Sequence, residues 1–194
     1  MSPPTDNPIA FSTPGWSSRR MSEPERPDRR DYRSTHGERD TVLTYLRNYR
    51  ITFEMKCEGL DPEQLARRAV PPSTLSLLGL LRHLAKVEHS WNRRVLQERM
   101  DLPRLYWSAD TPDLDFDGAA PDPDLVADAW ESWRREVADA DAWLAAEQDW
   151  GRLVPVHGEP TEVRDIAVHL VEEYARHCGH ADLLRESVDG RTGQ

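Results

Sequence analysis

The stretch Val163-Arg164-Asp165-Ile166-Ala167-Val168-His169-Leu170-Val171-Glu172-Glu173-Tyr174-Ala175-Arg176-His177-Cys178-Gly179-His180-Ala181-Asp182-Leu183-Leu184-Arg185-Glu186 decides the fold class. Advanced at about 100° per residue from His177, it brings Val163, Ile166, Leu170, Tyr174, Ala181 and Leu184 within about 60° of that histidine, the apolar stripe of an amphipathic helix. His177 points into the middle of the stripe. Glu173 lies on it about 40° away, and His169 and His180 sit on its shoulder about 60–80° off. A carboxylate in a helical core is costly unless paired or metal-bound. Residues four apart on a helix project side by side, as two ligands to one ion must. Thr161 reads as the cap of this helix, predicted over 162–187 and ending before Gly190.

Working outward, three further segments carry the same period. Residues 40–57 hold Val42, Leu43, Leu46, Tyr49, Phe53 and Met55, with Gly59 as C-cap. Asp61-Pro62-Glu63 opens a short helical turn, because Asp caps and Pro suits the first helical position. A helix over 74–98, capped by Ser73 or Thr74, carries Leu77, Leu80, Leu81, Leu84, Val87, Trp91 and Val95. A third, over 124–147, carries Leu125, Val126, Trp130, Trp133, Val137 and Leu144, and its tryptophans Trp130, Trp133 and Trp143 read as packing residues. Residues 100–123 form an acidic loop in which Tyr106 and Trp107 offer a cover for a site, although a solvated connector is the favoured reading. The run Leu153-Val154-Pro155-Val156 is too short and too marked by proline for a strand. The expected class is all-α, a four-helix bundle.

His83 lies at the edge of the second helix's stripe, beside Leu80 and Val87, and can face the interior. His89 points further from it. His83, Glu173 and His177 together offer two imidazoles and one carboxylate, a three-ligand set that leaves an open position on zinc or another divalent metal. On spacing alone, a hydrogen-bonded pair of core side chains competes with that reading. His169 and His180 are alternative ligands or supports behind the ligands. Arg176 is a candidate for a substrate carboxylate, with a surface salt bridge as the simpler role. Cys178 falls about 100° from His177 and reads as a packed thiol.

Composition bounds the function. The chain has 194 residues, 25 Lys+Arg against 35 Asp+Glu, and a net charge of −10. The acidic balance argues against nucleic acid or an anionic membrane as partner. No apolar run approaches the roughly 18 residues of a membrane helix, and residues 1–38 lack the apolar core of a secretory signal. Residues 1–38, rich in proline and serine and of zero net charge, read as a disordered tail before a single domain at 39–192; Met21 offers an alternative start. Cys57 and Cys178 are too few for a disulfide framework or a cysteine-rich zinc site, so a reducing cytoplasm is expected. Only Lys56 and Lys86 are lysine, which together with abundant Ala, Asp and Pro points to a high-GC bacterial genome.

The stretch Pro72-Ser73-Thr74-Leu75-Ser76-Leu77-Leu78-Gly79-Leu80-Leu81-Arg82-His83-Leu84-Ala85-Lys86-Val87-Glu88 and the ending from His169 to Glu186 resemble the DinB-like (YfiT-like) superfamily. The C-terminal motif is similar to the branch grouped with mycothiol-dependent transferases and the maleylpyruvate isomerase N-terminal type. The resemblance covers residues 39–192. It implies an up-down-down-up four-helix bundle that binds a divalent metal, often zinc, through three side chains. Many members use three histidines; the maleylpyruvate isomerase type uses His, Glu and His, the last two four apart. Carried onto this chain, that pattern falls on His83, Glu173 and His177. The activity implied is transfer of a low-molecular-weight thiol such as mycothiol to an electrophilic small molecule, with a homodimer compatible with the family's habits. Two rivals stand beside it: a hydrolase using metal-activated water, and a non-catalytic stress-response bundle held together by its metal.

Overall fold

A computed structural model describes residues 28–31 and 33–193. Residues 1–27, which hold most of the expected tail and Met21, lie outside the described residues. The protein is mostly helical with one small two-stranded sheet. Its helices are α1 (Gly37–Cys57), α2 (Pro62–Ala66), α3 (Leu77–Glu88), α4 (Leu114–Asp117), α5 (Pro123–Ala146) and α6 (Val163–Asp189). A π-helical segment, His89–Leu96, continues α3 directly. None of the described helices is long and apolar enough to cross a membrane.

The helix ends follow from local chemistry. Asp61 and Gln64 form a reciprocal capping box on α2, with Pro62 at its first position. The α3 cap is Ser76, not Ser73 or Thr74: its Oγ accepts from Gly79 N at 3.1 Å. Gly59 and Gly190 follow α1 and α6 with φ of 75° and 78°, the left-handed conformation glycine supplies at a helix end. Helix α1 already begins at Gly37. The residues before it run along it: Asp31 N donates to Asn48 Oδ1 at 2.9 Å and Arg29 pairs with Glu54 and Glu58.

Helix α1 packs along α6, and α3 packs against α5 and α6. The shared core contains Leu46, Phe53, Leu80, Leu81, Leu84, Leu144, Ile166, Leu170 and Tyr174. Each fully buried Leu or Phe contributes roughly 1.5–3 kcal/mol relative to leaving it in water. Trp133 Nε1 donates to the buried Tyr174 hydroxyl at 2.8 Å, which satisfies both polar atoms and ties α5 to α6.

Three expectations are corrected. The helix over 74–98 is instead α3 followed by the π-helical segment. There His89, Asn92 and Arg93 all reach α5, at Glu136, Asp139 and Glu136 respectively. The loop at 100–123 contains α4, which lies on α3. Gly79 permits this close approach: a Cβ there would stand 3.1 Å from the Phe116 ring. Finally, the fold is not wholly α. Leu153–Val156 (β1) pairs antiparallel with Glu159–Glu162 (β2), so Thr161 is a strand residue and Glu162 precedes α6. The turn residues His157 and Gly158 both have positive φ, 51° and 88°, as a tight two-residue hairpin turn requires. Pro155 faces Pro160. Because Val163 N donates to Arg152 O at 3.0 Å, alternation along the ladder makes Pro155/Pro160 a non-hydrogen-bonded pair. Neither missing N–H costs a ladder bond there.

Candidate metal centre

Helices α3 and α6 bring His83, Glu173 and His177 together, with one donor atom from each lying within 4.8 Å of the others. His83 Nε2 stands 3.6 Å and His177 Nε2 3.4 Å from the same carboxylate oxygen, Glu173 Oε2. The His83 and His177 rings meet edge to face, 4.7 Å between centroids. These separations are long for hydrogen bonds, yet they suit donors around one ion. Ligands at about 2.0–2.2 Å from a tetrahedral centre stand about 3.3–3.6 Å apart.

The supports are local. Asp115, only 1 % exposed, accepts from His83 Nδ1 at 2.8 Å. That bond puts the proton of the neutral ring on Nδ1 and turns the Nε2 lone pair toward Glu173, the carboxylate–histidine arrangement that orients metal ligands. Lys86 Nζ donates to the other Asp115 oxygen at 3.0 Å, and Phe116 stacks on the His83 ring at 4.9 Å between centroids. Burial disfavours charge on His83, but Asp115 and Glu173 outweigh it and raise the ring's pKa. The His177 and His83 rings hold the Glu173 carboxyl far below its usual range, against the cost of burial.

Of the other residues singled out in the sequence, His169 places Nε2 3.6 Å from Glu173 Oε1, and its ring meets Trp91 edge-on. His180 Nδ1 lies 3.2 Å from His177 Nδ1; burial and the neighbouring His177 and Arg176 lower its pKa. Arg176 pairs with Glu172 at 2.6 Å on the exposed face and comes no nearer Glu173 than 4.0 Å. Cys178 is buried, its Sγ donating to Tyr49 O, and burial pushes its thiol up to about 12; both described cysteines are unbridged. His89 is taken up by Glu136 and Pro103 O.

Asp115 is the residue the sequence concealed. It sits in the acidic run Asp110, Asp113, Asp115, Asp117, where nothing in the pattern distinguishes it. This overturns the preference for a purely solvated connector at 100–123, although Tyr106 and Trp107 are not what reaches the cluster. Tyr106 instead packs under Arg82 and donates to Asp128.

A solved structure described as the conserved protein of locus from Enterococcus faecalis superposes with a TM-score of 0.54 at 16% identity, covering 78% of this chain and 96% of that one, which shows a shared fold. No curated protein matches this sequence. Residues 41–190 match the family model described as mycothiol-S-transferase, a span that includes both helices of the His/Glu/His cluster and α4 with Asp115. The chain belongs to the mycothiol-S-transferase family.

Proposed function

We propose that this protein is a divalent-metal-dependent transferase that delivers a low-molecular-weight thiol, mycothiol or a close analogue, to an electrophilic small molecule. The observation that carries the reading is the convergence of His83 Nε2, His177 Nε2 and Glu173 Oε2 at the spacing of ligands to one ion. Two imidazoles and one carboxylate are a borderline donor set that suits zinc. The family match supports the thiol. An up-down-down-up arrangement of α1, α3, α5 and α6 over residues 39–192 is the framework proposed for it, and the two unbridged cysteines favour a reducing cytoplasm.

In this reading His83, Glu173 and His177 hold the ion. A divalent metal bound there lowers the pKa of a thiol and supplies it as thiolate near neutral pH. Asp115 keeps His83 in the tautomer whose Nε2 is a ligand, and Lys86 keeps Asp115 charged. The thiolate sulfur forms a bond to the electrophilic carbon. The thiol's own proton goes to water; a halide then leaves with the bonding pair, or the carbanion formed from an activated alkene takes a proton back from water. His169 supports Glu173 from the side, and His180 supports His177.

The test is metal analysis of the purified protein with a turnover assay, using 1-chloro-2,4-dinitrobenzene with and without mycothiol. Turnover that needs both metal and mycothiol supports the transferase. Ester or amide cleavage without thiol would point to the hydrolase. Absence of any divalent metal, with His177→Ala unchanged in folding and thiol binding, would defeat both.

A further inference from the structure

A groove of about 560 Å³ lies along the π-helical segment; none of His83, Glu173 and His177 lines it, but two of its wall residues reach the groups around that cluster. It touches the cluster's supports at two points. Lys86, in its wall, donates to Asp115, which accepts from His83. Trp91, also in its wall, meets His169 with ring centroids 4.7 Å apart, and His169 Nε2 stands 3.6 Å from Glu173. Besides Lys86 of α3, three elements build it. The π-helical segment provides Trp91 and Arg94, the following loop Arg104 and Trp107, and the hairpin Val156. Extended π-helical geometry is rare and often marks functional positions; in this segment Trp91 and Arg94 line the groove while His89, Asn92 and Arg93 engage α5.

The lining is chemically one-sided. In a chain of net charge −10, no Asp or Glu among the described residues lines this groove, whereas Lys86, Arg94 and Arg104 do. Lys86 is paired with Asp115. Arg94 donates to the main-chain oxygens of Met100 and Leu102 and makes no ion pair among the described residues, although its charge acts at longer range on the exposed Asp101. The exposed Arg104 guanidinium lies 4.7 Å from the Trp107 ring centroid and has no ion pair among the described residues. Two indoles and Val156 offer flat apolar surface, and a guanidinium presents paired donors suited to a carboxylate.

We propose that this groove binds the electrophile, and that the electrophile is an aryl compound carrying a carboxylate. The ring would lie against Trp91 and Trp107 while Arg104 takes the carboxylate. This assignment rests on the cluster being the thiol-activating centre, since that is what makes the neighbouring groove the place for the second substrate.

Binding and turnover separate the two readings. The purified protein, without thiol, is titrated calorimetrically with 3,5-dinitrobenzoate and with 1,3-dinitrobenzene, an unreactive pair differing in the carboxylate. The expected preference for the benzoate is about tenfold, with the indole N–H resonances of Trp91 and Trp107 shifting on binding. Arg104→Gln is expected to bring the two affinities within about twofold, and Arg104→Lys to keep part of the preference. Equal affinities in the wild type, a preference untouched by Arg104→Gln, or shifts confined to other tryptophans would overturn the proposal. The turnover arm compares 4-chloro-3,5-dinitrobenzoate with 1-chloro-2,6-dinitrobenzene in the presence of mycothiol. The carboxylated chloride is expected to have the higher kcat/KM, and Arg104→Gln to remove that advantage mainly through KM. A carboxylate preference in binding with no thiol-dependent turnover would sink the transferase reading and the electrophile's role while upholding the groove's ligand class. Turnover with no such preference would overturn the groove alone.

Discussion

Two of the polar clusters in this helical core, one centred on a fully buried ion pair and one half-buried, are built on opposite principles. In one, Arg50 from α1 grips Glu88 at the end of α3 with two bonds, Nε to Oε1 at 2.7 Å and Nη2 to Oε2 at 2.8 Å, and reaches Asp141 on α5 at 2.6 Å. Every charge there has an opposite charge in contact, and neither Arg50 nor Glu88 is open to water. In the other, Glu173 faces His83 and His177 at 3.6 and 3.4 Å, and no Lys or Arg among the described residues comes nearer than Arg176 at 4.0 Å. The first cluster is closed and joins three helices. The second turns three electron-pair donors toward one point, an arrangement that a cation completes. A buried carboxylate alone therefore does not mark a metal site. What distinguishes the two is whether a fixed guanidinium or a set of imidazoles stands opposite it.

The contrast can be broken experimentally. The largest effect is expected at the closed cluster. Arg50→Met leaves Glu88 buried with no counter-charge, only the Tyr174 hydroxyl beside it, and should cost about 3–5 kcal/mol, read as a lowered midpoint in denaturant melts. Glu173→Gln should behave differently, with less than about 1 kcal/mol lost by the chelated protein but zinc affinity and thiol transfer falling by more than about a hundredfold, measured by competition with a chromophoric chelator. If Glu173→Gln instead unfolds the chelated protein as Arg50→Met does, the two clusters are alike and the distinction fails. Asp115→Asn should reduce zinc affinity by about 10–100-fold, because it weakens the hydrogen bond that aims His83.

The smallest effect concerns acid stability at a third, closed cluster. Although burial opposes charge on Glu136, the His89, Arg93 and Arg135 contacts lower its carboxyl from 4.5 to about 2. A depressed pKa contributes stability that is fully present above the unfolded value and is lost as pH falls through the folded one. Stability should therefore drop between about pH 4.5 and 2, and Glu136→Gln should flatten that part of the curve at a cost of about 1–2 kcal/mol near neutrality, followed by thermal melts across pH. A steeper acid slope in the variant would contradict this assignment.

Much of the helical layout was legible because a 3.6-residue apolar period is a local property. Leu77, Leu80, Leu84 and Leu170, Tyr174, Leu184 announce their helices without any knowledge of the partners. The wheel also put Glu173 beside His177 on the buried stripe, since both lie on one helix and their relation is fixed by helical geometry. The hairpin was legible in principle: Val156-His157-Gly158-Glu159 carries glycine at the second turn position. It was obscured because Pro155 and Pro160 read as strand breakers, and only the pairing register reveals that their missing donors face no partner. The switch to π-helix after Glu88 left no mark in the apolar period either. The segment's contacts, His89 and Arg93 to Glu136 and Asn92 to Asp139, are with residues more than forty positions away in the chain.

By itself the sequence determined the helices, the intrahelical pair Glu173/His177, the candidacy of His83, and a charge balance that disfavours nucleic acid. Each of these depends on composition or on spacing within one segment. Tertiary structure decided which oxygen both imidazoles face, that Asp115 rather than its neighbours in an acidic run orients His83, and that Arg94, Arg104 and two tryptophans line one groove whose walls reach the cluster's supports. Those facts join residues from different elements. The side chains at 83, 115 and 173 meet because α4 closes on α3 over Gly79 and α3 packs on α6, contacts that no single stretch of chain encodes.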